Sequence, residues 1–335
     1  MKYIERLSKH LPTLIIITAI VTYLSPVYIQ TVSWLPSFLL GVVIFFTGLS
    51  MNLEAIRGIG KKKRVLVLAT FLKWTITVFV SLGLAYLFFS QEPDIAAGLI
   101  LSGTVPSATA ATLYTFLAGG NTALVIIGSL IDTGISPIVT LLAMMNIPGN
   151  PVTITFIDLL QSFIFIVILP LSVGILVQRI YPQAVQYSRG LTKLGSSLSL
   201  LFIVHIIVGE GSEAIASRIE VLPLLIAVIF IQVTLPMGLA YVIANKIGVQ
   251  AEDAKATMFH VGLCNTALAA ILAFEFIGEL GAAPPIINTI INLSFGSFLA
   301  NQFGKRLERR GPKQRAAHPQ EQRVTYQAKH PGSVK

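Results

Sequence analysis

Gly103-Thr104-Val105-Pro106-Ser107-Ala108-Thr109 interrupts one long apolar run, and His260-Val261-Gly262-Leu263-Cys264-Asn265-Thr266 interrupts another. The first leads back into Ala110-Ala111-Thr112-Leu113-Tyr114-Thr115-Phe116, the second into Ala267-Leu268-Ala269-Ala270. In hydrocarbon, a broken helix exposes N–H and C=O groups that no water can satisfy. Such backbone persists only where it lines a cavity or packs on protein. One break in each half of a hydrophobic chain points to the binding site of a carrier.

The rest of the composition agrees. Of the 335 residues, 54% are hydrophobic and 12% charged, and the mean hydropathy is +0.78. Soluble domains carry about 25% charged residues, so the chain reads as a polytopic membrane protein. The single cysteine, Cys264, excludes an internal disulfide and a multi-cysteine metal site. Nothing in the sequence calls for a cofactor.

Runs long enough to span a bilayer lie near 11–30, 34–52, 65–89, 95–118, 121–145, 152–178, 193–209, 221–245, 253–277 and 282–304. A membrane helix needs about 20 residues. The first run follows Lys2, Arg6 and Lys9, as in a signal peptide, but no small-residue cleavage site follows it, so it reads as a retained helix. With the N-terminus inside, 22 of the 24 Lys and Arg fall in cytoplasmic segments or at their edges; Lys73 lies inside a span and Arg218 in an outside loop. This positive-inside pattern accounts for the net charge of +9. It removes the need for a nucleic-acid partner. Lys61-Lys62-Lys63-Arg64 reads as an anchor against anionic lipid. Segment 53–64 reads as interfacial, 211–219 as a polar outside loop, and the basic tail 305–335 as disordered beyond about residue 312.

A cut near Asn150-Pro151 leaves five spans on each side. An odd number forces the second half to enter the membrane in the opposite sense. The expected fold is therefore all-α: ten transmembrane helices in two inverted repeats, 1–150 and 151–304, whose broken fourth spans cross near the midplane. After each break a helix starts with unpartnered N–H groups and a positive dipole end. Two such ends make an anion site without a charged side chain. Thr109 and Thr112 sit at the first start, Asn265 and Thr266 at the second. These residues also suit plain helix capping, which is compatible with ligand contact.

Among the ionisable residues inside spans, three stand out: Lys73, Asp132 in the middle of span five, and His260 at the second break. A lysine near the bilayer centre costs on the order of 3 kcal/mol. Lys73 and Asp132 are expected to pair, which avoids the cost of isolated charge, with His260 as a titratable neighbour. Each has a plainer reading. Lys73 snorkels, Asp132 bonds to a broken helix, and His260 packs.

The same stretches resemble the bile acid:sodium symporter family. The first crossover carries Thr109-Ala110, Thr115-Phe116-Leu117-Ala118, Gly120-Asn121, Ala123-Leu124 and Ser136-Pro137; the second follows the pattern Val261 to Ala269. Thr47-Gly48-Leu49-Ser50 and Asn292-Leu293-Ser294 also fit. The resemblance implies a core of spans 3, 4, 5, 8, 9 and 10 against a panel of spans 1, 2, 6 and 7, and an organic-anion substrate. It also implies that Thr109, Asn265 and Asn292 contact substrate. The chain departs from the family's two-sodium pattern. His260 stands where the family has a glutamate, and Cys264 where it has a glutamine. Ala111-Thr112 replace a Ser-Asn pair, Val125 replaces a serine, and Lys73 aligns with a glutamine ligand.

These readings combine into a secondary transporter of a small organic anion, a carboxylate, working by alternating access and not an enzyme. It would be sodium-independent or coupled to H+. It would sit in a bacterial inner membrane with both termini cytoplasmic. The expected substrate-binding set is Thr109, Ala110, Thr112, Asn265, Thr266 and Asn292. The expected ion- or proton-coupling set is Lys73, Asp132, His260, Ser129 and Thr133, with no metal site. The alternative keeps sodium in a rearranged site of Ser129, Thr133, Asp132 and backbone carbonyls. A channel, a transport-dead sensor and an intramembrane enzyme using Asp132 and His260 are more distant readings.

Overall fold

A computed structural model of the chain describes residues 11–25, 32, 34–51, 62–145, 155–181 and 183–309. The cut at Asn150-Pro151, most of segment 53–64 and the tail beyond 309 lie outside them. The described residues form twelve helices of eight residues or more. These are α1 (Leu11–Leu24), α2 (Leu35–Ser50), α3 (Lys63–Phe89), α4 (Pro93–Thr104), α5 (Thr109–Leu117), α6 (Thr122–Met144) and α7 (Ile157–Ile180). They continue with α8 (Ala184–Glu210), α9 (Leu222–Lys246), α10 (Ala251–Gly262), α11 (Thr266–Phe276) and α12 (Glu279–Arg309). Five of them, α3, α6, α7, α12 and the helix ending at Lys246, are long and apolar enough to cross a membrane. The described residues are mostly helical and form no strand, which is consistent with an all-α membrane protein.

Both anticipated breaks are present and narrower than the quoted stretches: Val105–Ala108 separates α4 from α5, and Leu263–Asn265 separates α10 from α11. Two sequence boundaries move. The seventh run extends back to Ala184, because residues 184–192 contain no proline and the helical ladder continues past the apolar segment. The 211–219 loop holds a helical turn at Ser212–Ala216.

The helices sort into two packing groups. Helices α1, α2, α7 and α8 pack chiefly on one another, while α3, α4, α9, α10, α11 and α12 form the other group, joined by α5 and α6. In the first group, a Cβ at Gly48 would collide with the Leu171 carbonyl, and one at Gly174 with the Phe45 carbonyl, so α2 and α7 approach backbone to backbone. Leu99, Ile100, Phe259, Leu268 and Leu272 are fully buried in the second group. Val67, Phe71, Phe79 and Leu87 of α3 face outward. Such an apolar exterior suits lipid rather than water.

Two helices carry a π-helical turn, Lys73–Thr77 in α3 and Ile164–Ile168 in α7. The second directly precedes Leu169 and Pro170, and proline at that point cannot donate to the ladder. The first widens α3 where it passes the two breaks. Lys73 reaches the second break at Cys264, Thr77 the last turn of α10 at the Val261 carbonyl, and Trp74 reaches Asp132 on α6. Single π turns of this kind are frequent at functional sites.

Candidate functional site

The two breaks meet. Ser107 and Cys264 form an isolated antiparallel bridge. Ala108 N–H donates to the Leu263 carbonyl and Asn265 N–H to the Pro106 carbonyl, each at 2.8 Å. Each connector thus satisfies part of the other's exposed backbone. Side chains from neighbouring helices satisfy more of it. Ser136 and Thr140 hydroxyls donate to Thr104 O at 2.6 and 3.0 Å, Thr77 to Val261 O at 2.9 Å, and Asn292 Nδ2 to Cys264 O at 2.8 Å. Ser129 Oγ donates to Ser107 O at 3.2 Å. Polar residues scattered over three apolar helices therefore share one physical task, pairing backbone that hydrocarbon cannot.

A cavity of about 460 Å³ opens on one side of this crossing, between α2 and α7 on one wall and α5 and α6 on the other. Thr109, Thr112, Asn265, Ser129 and Thr133 lie on its wall. Asn265 also caps α11, its Oδ1 accepting from Leu268 N–H at 3.3 Å. Among the described residues the lining holds no charged side chain. An anion there would be met by hydroxyls, an amide and the dipole ends of α5 and α11. The remaining members of the expected set lie off this wall. Thr266 is buried and shares a 2.7 Å bond with Thr289, Asn292 is buried on Cys264 O, and Ala110 is half-buried on α5.

Behind the cavity wall, Lys73, Asp132 and His260 are all fully buried. Lys73 does not snorkel. Its Nζ donates to Cys264 Sγ at 2.8 Å and lies 5.8 Å from the centre of the Trp74 ring. The expected Lys73–Asp132 contact is not made. Asp132 is engaged by Trp74 Nε1 at 3.0 Å, by Ser107 Oγ at 2.7 Å and by Ser107 N–H at 3.3 Å. Its Oδ2 is 3.6 Å from His260 Nε2. The imidazole Nδ1 is 3.0 Å from Ser107 Oγ, and that hydroxyl is also 2.7 Å from the His260 carbonyl. Gly128 makes room for the ring: a Cβ there would come within 2.5 Å of His260 Cε1. The physical reason for the changed partner is the crossover. Asp132 supplies acceptors to the first break, which places it on Ser107, while Lys73 reaches the second.

The family model for the sodium bile acid symporter family matches residues 37–218, more than half of the 335-residue chain. The chain belongs to the sodium bile acid symporter family. It is similar to a Bacillus subtilis protein named uncharacterized sodium-dependent transporter YocS, with 27% identity, covering 83% of this chain and 86% of that one. It is similar to the probable sodium/metabolite cotransporter BASS1, chloroplastic, of Arabidopsis thaliana, with 23% identity, covering 82% and 67%. A further relative is the uncharacterized protein YbaS of Bacillus subtilis, with 24% identity, covering 89% and 95%.

As a member of this family the chain is a membrane transporter and not an enzyme. Within that frame, the sequence reading passed over three residues of the site. Ser107 lies inside the quoted break and touches Asp132, His260 and the cavity. Trp74 belongs to neither expected set, yet its indole holds Asp132. Gly128 carries no chemistry of its own, and no local pattern reveals that an imidazole lies against it. At the far ends of the broken spans, Lys255 Nζ donates to Ala118 O at 2.7 Å and Gly119 O at 3.1 Å. Asp253 takes Lys62 and Asn121, each at 2.8 Å. These contacts tie α5 and α6 to α10.

Proposed function

We propose that this protein is a secondary active transporter of a small carboxylate, working by alternating access without sodium, with a proton in sodium's place or no coupling ion at all. The observation that carries the reading is the cavity at the crossing of the two broken helices, walled by Thr109, Thr112 and Asn265 and free of charged side chains among the described residues. It matches what an anion needs from half-helix starts. The chain is read as ten spans in two inverted repeats, with both termini cytoplasmic in a bacterial inner membrane. On that topology Ser50, Met51, Phe116 and Thr122, which line the cavity, lie toward the cytoplasm, so the cavity faces inward. The two packing groups are the parts that would move: α1, α2, α7 and α8 as panel, the rest as core. The substrate-binding set remains Thr109, Ala110, Thr112, Asn265, Thr266 and Asn292, the last two acting from behind the wall.

The ion dependence follows from Lys73. A fully buried ammonium at the crossing occupies space and supplies charge that a bound cation would otherwise supply. Asp132, His260, Ser129 and Thr133 complete the coupling set. The names of the relatives favour a second reading, sodium coupling through a rearranged oxygen set.

Thermal-shift titration of the purified protein with small carboxylates, with and without sodium and across about pH 5.5–8, tests both. Stabilisation by a carboxylate that is insensitive to sodium supports the first reading, and stabilisation that requires sodium selects the second. Counterflow exchange of the labelled ligand in vesicles separates a carrier from a sensor.

A further inference from the structure

We infer that the site takes up about one proton with each carboxylate it binds, and that Ser107 carries that proton from the cavity to His260. This rests on the transport reading above and names its coupling partner and route. The hydrogens around Ser107 are too few for its acceptors. Ser107 Oγ has one hydrogen, yet three acceptor atoms surround it: Asp132 Oδ2 at 2.7 Å, His260 O at 2.7 Å and His260 Nδ1 at 3.0 Å. A neutral imidazole carries one N–H. If it is on Nδ1, it donates to Ser107 Oγ, and Nε2 presents a bare lone pair to the Asp132 carboxylate 3.6 Å away. Nε2 is buried and finds no hydrogen-bond partner among the described residues. If the hydrogen is on Nε2, then Nδ1 needs the Ser107 hydrogen and competes for it with Asp132.

One added proton settles the count. In the imidazolium form Nδ1–H donates to Ser107 Oγ, Ser107 O–H donates to Asp132, and Nε2–H points at the same carboxylate. The proton has a route. Ser107 is on the cavity wall, whereas Asp132, His260 and Lys73 are fully buried behind it. In the tautomer with its hydrogen on Nε2, a hydronium ion reaching the cavity gives a proton to Ser107 Oγ as the hydroxyl passes its own hydrogen to Nδ1, and a neutral water is left behind.

Charge balance sets the stoichiometry. The charged or titratable groups around His260 are Asp132 on α6, Lys73 on α3 and Cys264 on the connector that follows α10; Asp253 and Lys255 lie at the start of α10, engaged at the ends of α5 and α6. An ammonium, a carboxylate and a neutral imidazole sum to zero. A carboxylate entering the cavity adds one negative charge, and one proton on His260 cancels it. In a low-dielectric interior the neutral set is strongly preferred. The loaded carrier then moves no net charge beyond that of the empty one.

The test is calorimetry of the purified full chain near pH 7, with pyruvate, pantoate and cholate as probes, in phosphate and in Tris. The two buffers differ in ionisation enthalpy, so the difference in binding heat counts protons taken up. The expected result is about one proton per carboxylate in the wild type and close to none in His260→Gln or Asp132→Asn. Ser107→Ala is expected to slow proton-driven uptake in vesicles several-fold and Ser107→Thr, which keeps the hydroxyl, to retain it; an unchanged rate in Ser107→Ala overturns the route. Binding heat that is the same in both buffers overturns the inference and leaves the transport reading standing. Full proton uptake in both His260→Gln and Asp132→Asn also overturns it. No binding heat with any of the three probes counts against the carboxylate reading itself, and the inference falls with it.

Discussion

Ser107 and Cys264 face each other as an antiparallel pair, the way residues do on neighbouring strands, in a protein whose described residues form no strand. The pairing is a consequence of breaking two helices at the same depth. Each connector has donors and acceptors that the other can use, and 2.8 Å bonds on both sides of the pair hold the two half-helix starts beside one cavity. The arrangement predicts which substitutions act on binding and which on folding.

Thr109→Ala removes a hydroxyl from the cavity wall without touching the connector bonds. A lost hydrogen bond to a charged ligand costs about 1.5–3 kcal/mol, so affinity should fall about tenfold to a hundredfold. Unfolding temperature should stay near that of the wild type. Asn265→Ala should lose affinity by the same amount and also about 1 kcal/mol of stability, because Asn265 caps α11. Ligand titration and thermal melts of both variants check this, and unchanged affinity in both would move the site elsewhere.

Gly128→Ala should displace the His260 ring, since the added methyl would come within 2.5 Å of Cε1 and 2.9 Å of both ring nitrogens. Overpacking of this kind costs about 1–3 kcal/mol. The double variant Gly128→Ala/His260→Ala opens space for the methyl, so the penalty of Gly128→Ala should be smaller in that background. A double-mutant cycle on unfolding free energies measures the difference.

Asp132→Leu should be severely destabilising, by about 3–5 kcal/mol. It strands Trp74 Nε1, Ser107 N–H and the buried Lys73 charge at once. Adding Lys73→Met removes the charge but not the two orphaned donors, so rescue should be partial at most. Chemical unfolding of the single and double variants decides it. Full recovery in the double variant would mean that direct attraction between the two residues outweighs the connector bonds.

Sodium should have little effect on the initial rate of uptake. Replacing sodium by choline at fixed ionic strength and pH in vesicles reads this directly. A many-fold stimulation by sodium would favour the rearranged oxygen site of Ser129, Thr133 and Asp132. Lowering the outside pH should instead raise uptake, since proton supply enters the same step as the anion.

Much of this protein is written in its sequence. Apolar run length and the placement of Lys and Arg mark the chain as a membrane protein. The two interrupted runs locate the crossing, because Pro106 and Gly262 together with their polar neighbours cannot continue a helix comfortably. The same motifs place the chain in its transporter family. Local sequence also marks Lys73, Asp132 and His260 as unusual, since burying such groups is costly wherever they end up. It does not decide which of them meet. Lys73 and Cys264 are 191 positions apart, and Ser107 and His260 153 apart, so their contacts depend on how α3 and the two broken spans pack. Tertiary structure turned Asp132 toward Ser107 and His260 instead of Lys73. It also made Gly128 a constraint on an imidazole, and put Thr266 and Asn292 behind the cavity wall. The reason is the same in each case: a broken backbone in an apolar interior must be hydrogen-bonded, and the side chains that can reach it are chosen by packing.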